Sequence, residues 1–319
     1  MPQIFGRNTF IYSGLESTWG TMVAGSVYTR VYSLSMIRSQ QRDRKTDLST
    51  SDGAWSKAHF DQFEEAGGTI EIPLQYDGIG LYLAAAMGDV TPSGGGPYIH
   101  TYAANTTDMG SLTIRCQRGS DTTEVFLGCM VSSMEISGSA GEEIKASFEF
   151  IAKTANTRSG TITPTYGDGK QAFHYEVSEM AVTPSGGGAT VNYALQNFNF
   201  RVENAIERKN NLGSKLTAQP DINGFRTATL SCEAFMLDNT LYNLQLSGTP
   251  QDIIITMNQT GSSNWIKLYL YNAVITSFDD AIDTVGRLSQ SFEFTGFADS
   301  SNEACKIVIE NGDSSGVGN

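Results

Sequence analysis

Apolar and polar residues alternate in steps of two along most of the chain, with Val, Ile, Thr, Phe and Tyr set between clusters of Gly, Ser, Asp and Asn. Successive side chains on a strand point to opposite faces, so this pattern predicts half-buried antiparallel strands. Strands are expected near 26–37, 68–76, 111–118, 123–137 and 143–153, and again near 192–203, 224–236, 251–258, 265–279 and 287–297. Each set is interrupted by one helical segment, Ile79–Met87 in the first and Asp238–Leu244 in the second. Asp238 is expected to act as N-cap there, its carboxylate accepting a free first-turn N–H.

The two sets resemble each other. Phe126–Ile136 followed by Ser147-Phe-Glu-Phe150 aligns without a gap with Leu270–Asp280 followed by Ser291-Phe-Glu-Phe294. Leu81-Tyr82 matches Leu241-Tyr242, and Thr69–Tyr76 is aligned with Thr227–Ala234. The pattern predicts a mainly β chain of two tandem β domains, 1–155 and 156–319, each with a short flanking helix. The seam is expected in the polar run Thr154–Gly160. A Thr-Pro-Ser-Gly-Gly-Gly sequence occurs at Thr91–Gly96 and at Thr183–Gly188. Both copies read as turns, because a phosphate cradle would need a following Lys and helix.

Alternation also sorts the faces of the aligned hairpin. Met130 and Met134, with Val274 and Phe278, are expected to point inward, as are Phe148, Phe150, Phe292 and Phe294. Glu149 and Glu293 must then point the other way, on the face that carries Ser133, Ser277, Glu135 and Asp279. An acidic outer face can simply be solvated, or it can line a passage that must repel anions. The polar insertion 38–66 contains the basic cluster Arg38, Arg42, Arg44 and Lys45. It reads either as a solvated loop or as an arm docked against an acidic neighbour.

Composition narrows the function. With 34 Asp and Glu against 21 Lys and Arg the net charge is −13, which argues against a protein that grips nucleic acid through basic surface. Apolar residues at 39% suffice for a core. The longest apolar run, Leu81–Met87, is far short of the ~20 residues that span a bilayer, and Met1–Arg7 has no apolar stretch of signal-peptide type. The expectation is a soluble protein assembled in a cytoplasm, with no membrane partner. Cys116, Cys129, Cys232 and Cys305 are dispersed and read as buried free thiols rather than zinc ligands or disulfides. His59, His100 and His174 lack neighbours at metal-ligand spacing, and no nucleophile-elbow, P-loop or zincin motif occurs. No catalytic, cofactor or metal site is expected.

Several segments in order resemble the major tail tube proteins of long-tailed bacteriophages. They are Glu16-Ser-Thr-Trp-Gly-Thr21, Gly67-Gly-Thr-Ile-Glu-Ile-Pro-Leu74 leading into a helix, Leu112-Thr-Ile114, and Gly128-Cys-Met-Val-Ser-Ser133 running into the Ser-Phe-Glu-Phe strand. The likeness covers most of residues 1–153 and is weaker beyond, where Asn272-Ala replaces Gly-Cys. It implies β-sandwich or partial-barrel domains whose hairpins join neighbours into a closed ring, six domains to a ring and hence three copies of a two-domain chain. It also implies stacking of rings into a tube of the virion tail that conducts double-stranded DNA during ejection without binding it specifically. Tape-measure, tail-terminator and distal tail proteins are the implied partners. In that setting Glu135, Asp279, Glu149 and Glu293 are expected to line the lumen, and Arg38, Arg42, Arg44 and Lys45 to contact the next ring. The rival reading is a virion-surface adhesin or carbohydrate-binding β-sandwich, with Trp55 or Trp265 stacking on sugars.

Overall fold

The structure is a computed structural model that describes residues 9–44, 59–104, 109–119, 122–156, 162–163, 173, 178–185, 188–236, 238–258, 264–279, 288–299, 302–312 and 314. Strands β1 (Phe10–Leu15), β2 (Val27–Arg30), β3 (Ser33–Leu34), β4 (Ile37–Arg44) and the long β5 (His59–Pro73) precede helix α1 (Gly80–Met87). After it come β6 (Gly88–Ser93), β7 (Tyr98–Ala104), β8 (Leu112–Arg118), β9 (Thr122–Ser139), β10 (Lys145–Ala152) and β11 (Thr154–Ala155). The chain continues through β12 (Ser178–Pro184), β13 (Val191–Tyr193), β14 (Leu195–Glu203), β15 (Lys209–Asn210), β16 (Thr217–Ala218) and β17 (Thr227–Phe235) to α2 (Thr240–Ser247). It closes with β18 (Gln251–Asn258), β19 (Trp265–Asp279), β20 (Ser289–Thr295) and β21 (Cys305–Asn311). The fold is mainly β and antiparallel, as the alternation predicts.

Among the described residues three large sheets can be traced through the pairings, beside a two-stranded ladder of β15 and β16. An inner sheet runs β4–β5–β10–β9–β14–β17–β20–β19, with β3 beside β4 on the same edge of β5. One outer sheet is β2–β1–β8–β9–β11, and the other is β13–β12–β18–β19–β21–β7–β6. The long strands β9 and β19 each belong to an inner and an outer sheet. Between the layers lies one continuous buried cluster that includes Ile70, Tyr82, Phe126, Phe148, Phe200, Leu230, Leu268 and Phe294. Burying these apolar side chains is the main force that joins the layers.

Both long strands leave one sheet for the other through the same pair of irregularities. Between Leu112 and Ile114 the β8–β9 ladder shifts register, and Gly128 on the bulged side has φ +65°. Between Gln251 and Ile253 the β18–β19 ladder does the same, and there Asn272 has φ +45°. Farther along, β9 shifts against β10 so that Ser132 is passed over, and β19 shifts against β20 so that Thr276 is passed over. Each skipped hydroxyl bonds the facing carbonyl, Ser132 to Glu149 O at 3.2 Å and Thr276 to Glu293 O at 3.3 Å. Extra residues of this kind bend a strand and raise its twist, which lets one strand serve two sheets.

These bulges change the expected faces. Phe148 stands opposite Met134 but Phe150 opposite Val131, so Val131 and Met134 face the core, while Met130 is carried to the other side opposite Ile151. Ile275 and Phe278 are the matching inward pair of β19, in place of Val274 and Phe278. The alignment of Thr69–Tyr76 with Thr227–Ala234 also needs correction. The equivalent phenylalanines Phe148 and Phe292 stand opposite Ile70 and Cys232, which moves the match by four residues. An even slip preserves the alternation of faces, so the pattern alone could not detect it.

Both predicted helices form. The eight residues of α1, rich in Leu and Ala, are buried throughout, and the helix stops at Gly88 with φ +93°, a conformation that glycine adopts at least cost. Helix α2 buries only Leu241. Asp238 does accept a first-turn bond, from Thr240 N–H at 2.8 Å, although the cap position itself is Asn239. No helix among the described residues is long and apolar enough to cross a membrane.

Candidate functional site

Residues opposite one another in a ladder share a face, so the inner sheet can be read strand by strand. Its buried face carries Ile70, Phe148, Met134, Phe200, Leu230 and Phe294. On the opposite face Glu149 stands across from Thr69 and Ser133, and Glu135 across from Ser147 and Arg201. Farther along the same face Glu293 stands across from Ser231 and Ser277, and Asp279 across from Ser291. The structure therefore brings all four predicted carboxylates onto a single sheet face.

Three further acids join them through the same registers: Glu71 opposite Ser147, Glu233 opposite Ser291 and Asn197, and Glu203 opposite Thr227 and Ser133. They carry a legible signal, since each alternates with buried neighbours such as Ile70 and Ile72 or Cys232 and Ala234. What sequence reasoning lacked was the pairing that sets these strands side by side. Among the described residues, Lys145 and Arg201 oppose this charge, Lys145 at 3.5 Å from Glu71 and Arg201 at 2.7 Å from Glu203 and 3.9 Å from Glu135.

Short polar side chains hold the carboxylates in place. Ser133 donates to Glu149 at 3.1 Å, Asn199 to Glu135 at 2.9 Å, Asn197 to Glu233 at 2.7 Å and Ser231 to Glu293 at 3.0 Å. Such bonds order an anionic surface without neutralising it. Neutral donors thus hold four of the seven carboxylates, while Lys145 and Arg201 reach Glu71, Glu135 and Glu203.

The basic cluster lies apart. Arg38 pairs with Glu64 at 2.8 Å, and Arg42 with Asp61 at 3.0 Å, both across the β4–β5 ladder. Arg44 stands opposite His59 in that ladder. The side chain of Arg44 and the whole of Lys45 lie outside the described residues, as do Trp55, His174, Asp280 and most of the expected seam. The described parts of the polar insertion form the two arms of a hairpin rather than a loop.

The segments that carried the family resemblance touch one another. Glu16 is buried and accepts bonds from Gly20 N–H at 2.7 Å, Ser111 Oγ at 2.7 Å, Thr113 Oγ1 at 2.8 Å and Gly128 N–H at 2.9 Å. Trp19 donates from Nε1 to Gly128 O at 3.2 Å, and the Lys153 ammonium lies 4.7 Å from the Trp19 ring centre. One carboxylate and one indole therefore pin the N-terminal segment to the β9 bulge. A model of the phage tail tube protein family matches residues 6–296. The chain belongs to that family. No curated protein matched it.

Membership makes this a structural component of the virion tail, one that assembles with itself and meets other tail proteins. The tail tube protein keeps Trp265 engaged: its Nε1 donates to Glu310 at 3.0 Å, and Lys267 sits 4.4 Å from its ring centre. Among the described residues, no three His, Cys, Asp or Glu side chains gather as a metal site.

Proposed function

We propose that three copies of this chain close into a pseudo-sixfold ring, with residues 1–155 and 156–319 serving as two versions of one tube module. Rings stack head to tail in the host cytoplasm, and the inner sheet forms the wall of the bore through which double-stranded DNA passes during ejection. The observation that carries this reading is the acidic face of Glu135, Glu149, Asp279 and Glu293 on a sheet that, among the described residues, has strand edges open at both ends. Open edges invite pairing, and closing the sheet on neighbouring copies removes them. Repeated bulges at Gly128 and Asn272 and at Ser132 and Thr276 support the use of one module twice.

The electrostatics suit a conduit. Phosphate repelled by fixed carboxylates within a screening length of about 8 Å stays mobile, whereas a basic wall would hold the DNA by releasing its counterions. The tape-measure protein would occupy the bore before DNA does, with terminator and distal tail proteins at the tube ends. The basic cluster of Arg38, Arg42, Arg44 and Lys45, the first three on β4, is the candidate for contact with the next ring.

The test is a phage carrying Lys at all four lining positions, beside one carrying Gln or Asn there. Both should assemble tubes by negative-stain microscopy. Genome release should slow in the Lys phage and change little in the neutral one. Normal infectivity of the Lys phage would remove the lining assignment, and a monomeric protein that binds glycans would remove the tube reading altogether.

A further inference from the structure

The open edges of the inner sheet correspond to the two sides of a seam that the chain already makes within itself. In that seam β9 and β14 pair with Ser133 opposite Glu203, Met134 opposite Val202 and Glu135 opposite Arg201. The β9 side has a counterpart in β19, because Ser133 and Ser277 stand opposite Glu149 and Glu293 of the matching Ser-Phe-Glu-Phe strands. Beyond Ala273, β19 pairs with β20 and, among the described residues, with no second strand.

The β14 side has its counterpart at the other edge. Glu71 and Glu233 stand opposite Ser147 and Ser291, and their outer neighbours are Ser33 and Asn197. The match continues, with Ile37 opposite Gly67 where Arg201 is opposite Thr229. Carried along the strand, it sets Ser39 in the place of Glu203 and Gln40 in the place of Asn204.

Resting on the tube reading above, we propose that residues 37–39 of one copy pair antiparallel with the 277–279 end of β19 in the next copy, with Ser39 opposite Ser277 and Arg38 opposite Phe278. The joint between copies then repeats the β9–β14 joint within a copy, and every position around the ring sees the same seam.

A second set of contacts points the same way. Beyond β14, Asn204 donates from Nδ2 to Ala86 O and Val131 O, both at 2.9 Å, and Arg208 donates to Ala66 O at 2.8 Å. This loop covers the C-terminal end of α1. The corresponding positions of the second half are Leu246, Ile275 and Ala228. There α2 leaves Leu246 66% exposed, and Ala228, Gly296 and Phe297 line an open, largely apolar cavity of about 570 Å³. The occupant that fits is the next copy's arm: its Gln40, whose amide donates to Gln62 O at 2.7 Å within its own copy, comes to the place of Asn204 beside Leu246 and Ile275, and the continuation of its β4 covers the cavity. The arm thus acts first within a ring.

Cysteine cross-linking tests the register. The double variant Ser39→Cys with Ser277→Cys places two exposed positions face to face across the joint, and the native cysteines are buried. Mild copper-catalysed air oxidation of assembled tubes should give a covalent ladder that stops at trimer on a non-reducing gel. Neither single variant, nor Ser35→Cys with Ser277→Cys four positions out of register, should do so. Tubes that form normally without this cross-link overturn the proposed seam and leave the tube reading standing. Failure of both wild type and variant to form rings overturns the tube reading, and a ladder ending at another number overturns the three-copy ring while retaining the seam.

Discussion

Gly128 and Asn272 hold the same left-handed backbone turn, φ +65° and +45°, and each amide N–H is taken by a carboxylate: Gly128 by Glu16 at 2.9 Å and Asn272 by Asp252 at 3.1 Å. The local bonding around them also matches. Lys153 N–H donates to Leu127 O at 2.9 Å beside the first, and Phe297 N–H donates to Tyr271 O at 3.0 Å beside the second. Two different residues solve one backbone problem, glycine by having no Cβ and asparagine by tolerating the left-handed region better than most side chains.

The two solutions differ in how much they withstand change. A Cβ on Gly128 would lie 2.8 Å from Trp19 Nε1 and 3.0 Å from Lys153 Cβ. Gly128→Ala combines that crowding with left-handed strain and should cost on the order of 2–3 kcal/mol. Asn272→Ala should cost about 1 kcal/mol, and Asn272→Gly close to nothing. Thermal melting of the three variants should rank them in that order.

Acid should weaken the base of the β4–β5 arm. The Glu64 side chain is fully buried. Burial alone would raise its pKa, but hydrogen bonds from Arg38 and Thr154 and the charges of Arg38 and Lys215 carry it below the ordinary 4.5. As pH falls the unfolded chain takes up this proton first. The stabilisation is therefore complete above about pH 4.5 and is lost as pH drops through the lowered folded value. Melts of wild type and Glu64→Gln from pH 7 to 3 should show a gap at neutral pH that narrows in acid. A gap independent of pH would mean that the ionised form of Glu64 contributes nothing.

Thiol chemistry should be silent in the folded protein. Burial pushes Cys116 and Cys305 up to about 12 and raises Cys129 and Cys232 as well. The reactive thiolate is therefore scarce at pH 8, and access is blocked besides. An aromatic disulfide reagent should label none of the four free thiols in native protein and all four after denaturation. Rapid native labelling of any one would show local opening of the sheet that holds it.

What the sequence conveyed follows from where the energy lies. Phe148, Phe150, Phe292 and Phe294 alternate with charged or small residues, so both hairpins and their acidic face could be read directly. The first half of β5 could not, because His59-Phe-Asp-Gln-Phe-Glu-Glu65 is held to β4 partly by cross-strand ion pairs rather than by an apolar face. Strands β1, β6, β7, β12 and β21 were also not foreseen. Tyr98–Ala104 and Cys305–Asn311 are short, and they are fixed as strands by pairing with each other across the length of the chain. The bulges at Ser132 and Thr276 escaped as well, since one extra residue leaves no mark in composition while it inverts every face beyond it.

That last pairing has a consequence for biosynthesis. Strand β21 lies between β19 and β7, with Asn311 opposite Tyr98 and Lys306 opposite Ala103. Until the ribosome has released Cys305–Asn311, this outer layer has a missing slat, and closing so distant a contact is intrinsically slow. Joining β19 to β7 therefore waits on the docking of Cys305–Asn311 between them, a late step in the folding of this layer.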